Sequence, residues 1–139
     1  MIVVDTNVIS YLLVEGEPTA SAQKLWGLDS DWRVPSLWRH EFLNVLATLA
    51  KAGGLDLEDA QEIWRTALDL FSPCEEDANL ADALRLAVRA GVSAYGAQYV
   101  ALARHLEVPL VTEDRRLRTR VPEGLFSIGQ FCESGQAGA

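Results

Sequence analysis

Two short apolar runs at opposite ends of the chain pass straight into carboxylates: Ile2-Val3-Val4 into Asp5-Thr6-Asn7, and Leu110-Val111 into Thr112-Glu113-Asp114. Runs of Val, Ile and Leu without polar alternation belong to strands covered on both faces, as in a parallel sheet with helices packed on it. In open sheets of this kind ligands bind outside the carboxyl ends of the strands, where Asp5 and Asp114 both fall. The first constraint on the fold is therefore also the first pointer to a site.

The intervening pattern agrees with an α/β fold. Helices are expected over 7–14, from Pro18-Thr19 to Leu28, from a Ser36 cap to Ala52 before Gly53-Gly54, and from an Asp56 cap to Leu70. Further helices are expected over 77–90 before Gly91, from a Ser93 cap to Leu106, and over 114–120. Trp32-Arg33-Val34 reads as a strand stopped by Pro35, Phe71 to Cys74 as a brief strand, and Leu125 to Ile128 as a last one. Strands alternating with helices give a parallel sheet. We expect one domain over 1–133 and a flexible Gly/Ala tail over 134–139.

Cys74 and Cys132 lie outside any metal-ligand spacing and read as free thiols in a reducing compartment. Asp5 and Asn7 interrupt the start of the chain where a signal peptide would be apolar, and no run approaches a membrane span, so a cytoplasmic protein is expected. The net charge of −8 argues against nucleic acid as a partner until its distribution is considered. Nine acids between Asp56 and Asp82 face only Arg65, and the rest of the chain is neutral. Within that remainder Arg115, Arg116, Arg118 and Arg120 crowd behind Asp114, where a phosphate backbone could be held, although such a run can also be only a solvated face.

On the helix after Ser36, Trp38, Phe42, Val45 and Leu49 form one apolar stripe, and Glu41 lies about 60° from it. A carboxylate at the edge of a buried face is either partnered by an arginine or bound to a cation. Taken with Asp5 and Asp114 it offers the hard oxygen ligands that Mg²⁺ or Mn²⁺ prefers, in a site that could activate water against a phosphodiester. Thr6 and Thr112 could orient these acids, as could Asn7 and Asn44. His40 and His105 fit no nucleophilic or zinc pattern. The four tryptophans, Trp26, Trp32, Trp38 and Trp64, read as core or interface residues.

Four segments carry a family resemblance: Val4-Asp5-Thr6-Asn7-Val8-Ile9, Glu41-Phe42-Leu43-Asn44-Val45-Leu46, the block from Ser93 to Ala103, and Leu110-Val111-Thr112-Glu113-Asp114-Arg115-Arg116-Leu117. In this order and spacing the chain resembles the PIN-domain nucleases, most of all the VapC toxins of toxin-antitoxin modules. The resemblance implies a three-layer α/β/α domain with a central parallel sheet of four to five strands. It also implies a Mg²⁺- or Mn²⁺-dependent ribonuclease with RNA as substrate, often homodimeric and inhibited by a small antitoxin protein. Asp5, Glu41 and Asp114 map onto acidic positions of the family. In the nuclease reading Asp5 and Asp114 hold the metal, Glu41 holds a second metal or positions the attacking water, Thr6 and Thr112 orient the acids, and the arginines behind Asp114, Arg115 and Arg116 among them, contact RNA phosphates.

One position departs from the family pattern. Gly96 stands where the family carries an aspartate that ligates metal. As the third residue after the Ser93 cap it forgoes a capping box and costs about 1 kcal/mol relative to alanine, so helix stability does not explain it. The site is then crippled, or holds one metal through Asp5 and Asp114 with water in the gap, or borrows Glu113. Beside the nuclease stands a second reading, a PIN fold that has lost catalysis and acts by binding antitoxin or RNA. A phosphorylatable receiver domain also gathers acids at strand ends, but it needs a late lysine, and only Lys24 and Lys51 occur here.

Overall fold

A computed structural model describes residues 1–134; of the expected tail, 135–139 lie outside the described residues. Four strands, β1 (Ile2–Val4), β2 (Trp32–Arg33), β3 (Leu110–Val111) and β4 (Leu125–Phe126), form one all-parallel sheet in the order β2-β1-β3-β4. Its helices are α1 (Thr6–Leu13), α2 (Thr19–Leu28), α3 (Leu37–Lys51), α4 (Leu57–Phe71), α5 (Leu80–Ala90), α6 (Ala94–Leu106), α7 (Arg115–Arg120) and α8 (Ile128–Glu133).

Successive side chains of a strand point to opposite faces, and here both faces are covered. Ile2, Val4 and Val111 join α1 to α4 and α8 in one core, while Val3, Leu110 and Leu125 join Tyr99, Val100 and Leu102 of α6 and Leu117 of α7 in the other. The result is a three-layer α/β/α architecture, as the apolar runs imply. The first core is organised by aromatic rings. Trp32 stacks on Phe71, Trp38 packs against Phe42, Trp64 and Phe71, and Trp26 meets Trp32 edge-on. Trp32 and Trp38 are fully buried, and the other two tryptophans pack partly buried against the same core. Trp38 also donates its indole N–H to Glu75 at 2.8 Å, which Arg39 engages as well.

The sheet register positions the site. Val4 pairs with Val111, and the Asp5 N–H donates to the Val111 carbonyl at 3.0 Å, so the chain leaves β1 and β3 side by side. Asp5 therefore lies beside Thr112, with Asp114 two residues further on.

Several boundaries differ from the sequence reading; β2, for one, ends at Arg33, and Val34 forms a bridge to Glu75. The segment expected as a strand over Phe71 to Cys74 is the end of α4 followed by a 3-10 turn, Ser72–Cys74. Pro73 has no N–H to give a ladder, and Phe71 is held by the aromatic core. The strand-like pairing is displaced to Glu75, which bridges Val34 in parallel. Helix α5 begins at Leu80, where the Asn79 side chain accepts the Asp82 N–H at 3.1 Å, rather than at Asp77. Only Leu125–Phe126 of the last expected strand pairs; Ser127 and Gln130 then close a capping box that starts α8. Among the described residues no helix is long and apolar enough to cross a membrane.

Replacing Trp38 by alanine removes a fully buried ring from the centre of the aromatic core. The substitution is expected to lower stability by about 3–5 kcal/mol in urea denaturation. A loss below about 1 kcal/mol would place the anchor of this layer elsewhere.

Candidate active site

Asp5 is the N-cap of α1 and is almost fully buried. Its Oδ1 accepts the Thr6 N–H at 2.8 Å, and its Oδ2 accepts the Thr112 hydroxyl at 2.7 Å and, more loosely, the Asn7 amide at 3.4 Å. Thr112 is itself fully buried and serves two acids at once, since its Oγ1 also accepts the Asp114 N–H at 3.0 Å. Asp114 is exposed and caps α7 by accepting the Leu117 N–H on Oδ1 at 3.0 Å. Arg118 donates to the Thr112 carbonyl at 2.6 Å, and Asn7 accepts the Glu113 N–H at 3.2 Å, so the two strand ends are tied together.

Glu41, on α3, is half-buried and has no arginine partner among the described residues. Two hydroxyls converge on its Oε1 instead: Tyr99 at 2.6 Å and Thr6 at 3.0 Å. These hydroxyls lie 2.6 Å from each other. Tyr99 gives its proton to Glu41, so the single Thr6 proton serves either Glu41 or the Tyr99 oxygen. Oε2 of Glu41 and Oδ2 of Asp114 accept no hydrogen bond among the described residues.

Asp5, Glu41 and Asp114 line one open cleft of about 560 Å³, together with Ser93, Tyr95 and Gly96. Burial, reinforced by the charges of Glu41 and Asp114, pushes the Asp5 carboxyl up to about 6 against the opposing hydrogen bonds from Thr112 and Thr6. Burial, with Asp5 and Glu41 alongside, holds the Tyr99 phenol well above its ordinary value, so it stays a donor. Tyr99 was missed in the sequence, where it reads as one more member of an apolar helix stripe. The available signal was its place three residues after Gly96, on the same face of α6.

The other candidates fall outside the cleft. Glu113 accepts the Ile128 N–H at 2.7 Å and so is committed to the start of α8, which removes it as a substitute ligand. Arg115 and Arg116 do not line the cleft, and Arg116 donates to the Gly91 carbonyl at 3.4 Å. His40 and His105 are exposed. Gly96 contributes no donor, yet a Cβ built there would meet Leu117 Cδ1 at 3.4 Å and Ser93 Oγ at 3.5 Å, so a side chain fits with a slight yielding of Leu117.

A family model for the PIN domain matches residues 2–121. The chain is a PIN-domain protein. It is 33% identical over 127 residues to Ribonuclease VapC3 of Pyrobaculum aerophilum, an alignment covering 87% of this chain and 95% of that one. The crystal structure of PAE2754 from Pyrobaculum aerophilum superposes with a TM-score of 0.76 at 24% identity, covering 96% of this chain and 94% of its own. FitAcB from Neisseria gonorrhoeae gives a TM-score of 0.67 at 21% identity, with 93% and 99% covered. These two likenesses show the fold. With the family model and the 33% identity to a VapC ribonuclease over most of both chains, the protein is a VapC-like PIN domain.

The donor set of this PIN domain fits a small hard cation held by one or two carboxylates and water. It does not fit a full protein cage: among the described residues no group of three His, Cys, Asp or Glu side chains is gathered closely enough to hold a metal ion. A cation would relieve the mutual repulsion that Asp5 registers.

The raised Asp5 carboxyl has a consequence for stability. The folded protein binds this proton more tightly than the unfolded chain, whose value is near 3.8, so the contribution is full below about pH 4 and lost as pH rises through about 6. The size is about 3 kcal/mol. In a chelator, the stability difference between the parent and Asp5→Asn should shift by about that amount across this window, measured by urea denaturation at each pH. A pH-independent difference would contradict the burial of an ionising Asp5.

Proposed function

We propose that this protein is a Mg²⁺- or Mn²⁺-dependent endoribonuclease of the VapC toxin type, acting in the cytoplasm and held in check by a small antitoxin protein. The observation that carries the reading is the convergence of Asp5, Glu41 and Asp114 on one open cleft, with Asp5 held through both oxygens and Glu41 and Asp114 through one each. Membership of the PIN family and likeness to a relative named as a ribonuclease support it.

In this reading Asp5 and Asp114 hold the cation, and Glu41 holds a second one or positions the attacking water. When bound, the cation supplies neutralisation of charge at the phosphodiester and a more acidic water. Thr112 fixes Asp5 through its hydroxyl and Asp114 through the peptide N–H, so the two ligands share one anchor. Thr6 and Tyr99 hold Oε1 of Glu41, which keeps Oε2 free to accept a proton from water in the cleft. Arg115 and Arg116, exposed on α7 behind Asp114, take RNA phosphates. A homodimer is supported by an unpartnered stripe on α5, where Leu80, Leu84 and Val88 are 63%, 64% and 76% exposed at one-turn intervals.

Gly96 favours a second reading, a PIN fold that binds antitoxin or RNA without cutting, because it leaves the cleft one carboxylate short of the family pattern.

Cleavage of a structured RNA in Mn²⁺ separates them. The parent is expected to cut, Asp5→Ala to fall to background, and Tyr99→Phe to lose about 10–100-fold, as for groups that orient a ligand. Gly96→Asp, for which there is room, should cut faster than the parent. Cleavage by Gly96→Asp alone would favour the binding module; equal cleavage by parent and Asp5→Ala would overturn the nuclease site.

A further inference from the structure

Helices α5 and α6 run antiparallel and pack closely, with Ala83, Ala97 and Ala101 between them. Beside this seam lies a second cleft of about 420 Å³, lined by Arg85, Arg89, Arg104 and His105 with Asp82, Leu86 and Ala101. Arg85 is paired with Asp82 at 2.9 Å. The guanidiniums of Arg89 and Arg104 have no hydrogen-bond or ion-pair partner among the described residues, and both are exposed. Two unpaired forks on facing helices, with a histidine beside them, stand out in a chain whose net charge is −8.

The placement links this cleft to the candidate active site. Ser93 and Gly96, at the start of α6, line the carboxylate cleft, whereas Ala101, Arg104 and His105 line the basic one. Eight residues of helix separate Gly96 from Arg104, about 12 Å along the axis. At the end of α5, just before α6 begins, the Gly91 carbonyl accepts from Arg116, and the Arg120 guanidinium lies against the same glycine. A band of arginines thus runs from α7, behind Asp114, past the end of α5 and into the α5–α6 cleft. Residues 83–120 hold seven arginines against three acids, Glu107, Glu113 and Asp114. The acidic residues that give the chain its net charge belong mostly to the preceding segment, 56–82.

We propose that the α5–α6 cleft is a phosphate-binding subsite for single-stranded RNA, in which Arg89 and Arg104 grip the backbone, Arg104 about 12 Å along α6 from Gly96 beside the carboxylate cleft. This deepens the ribonuclease reading and rests on it for the identity of the polyanion. Arg118 is spent on the Thr112 carbonyl, whereas the unengaged guanidiniums of Arg89 and Arg104 are placed to hold a chain passing over the protein. A polyanion gripped here is retained by charge on one side while the carboxylate cleft meets it at the other.

The test is binding of a fluorescein-labelled oligouridine, long enough to span both clefts, followed by anisotropy in a chelator so that no cleavage occurs. Affinity is measured across a salt series for the parent, Arg89→Ala/Arg104→Ala and Arg89→Lys/Arg104→Lys. Each phosphate contact on a single strand contributes about 0.7 to the slope of log affinity against log salt. The alanine pair should therefore lower that slope by about 1.4 and weaken binding several-fold, while the lysine pair keeps the parent slope. A slope unchanged in the alanine pair overturns the subsite. Arginine-dependent binding of polyglutamate without such dependence for oligouridine overturns it in favour of an acidic protein segment. Because binding is read without turnover, a chain that cuts no RNA but shows the arginine-dependent slope loses the nuclease reading and keeps the subsite. A chain that cuts RNA with an unchanged slope does the reverse.

Discussion

The site depends on one buried hydroxyl. Thr112, at the end of β3, donates to Asp5 and accepts from the backbone of Asp114, so a single fully buried side chain sets the relation between the two carboxylates. That bond exists because β1 and β3 are adjacent and parallel, with Val4 opposite Val111. A slip of one residue would turn every strand side chain to the other face and place Asp5 against the wrong layer. The all-apolar strands, covered above and below by helices, make that slip costly, and so the packing of the core fixes the geometry of the cleft.

The second constraint is a proton count. Glu41 sits at the rim of the aromatic core, and Tyr99 and Thr6 bring only two hydroxyl protons to the three contacts among these oxygens. The Tyr99 phenol remains protonated because its burial and the neighbouring acids oppose its ionisation. The carboxylate is thus oriented by neutral donors and keeps its charge for the cleft, which an arginine would have cancelled. Burial first, and the charges of Glu41 and Asp114 after it, push the Asp5 carboxyl up to about 6 against its hydrogen bonds from Thr112 and Thr6.

Much of this was legible in the sequence, and for physical reasons. Apolar runs without alternation specified buried parallel strands, and the helix period placed Glu41 at the edge of a buried face. Thr6 and Thr112, adjacent to acids in the chain, do contact acids in the fold, because strand ends bring sequence neighbours of paired residues together. What escaped was set by tertiary contacts. Tyr99 shows its hydroxyl role only once α6 lies against α3, and Phe71 leaves the expected strand because the tryptophan cluster claims its ring. The Ser127–Gln130 capping box was readable as spacing but was overshadowed by the apolar pair before it. Glu113 is next to Asp114 in sequence and is nonetheless spent on the Ile128 N–H.

The central claim is that the carboxylates anchored by Thr112, Thr6 and Tyr99 form a divalent-cation site in spite of Gly96. Uptake of Mn²⁺, followed by loss of the free-ion electron paramagnetic resonance signal at neutral pH, tests it most directly. The account predicts saturable uptake by the parent chain and its disappearance in Asp114→Asn, whose exposed side chain can change without unfolding the protein. Uptake that is absent in the parent, or that persists unchanged in Asp114→Asn, would contradict it.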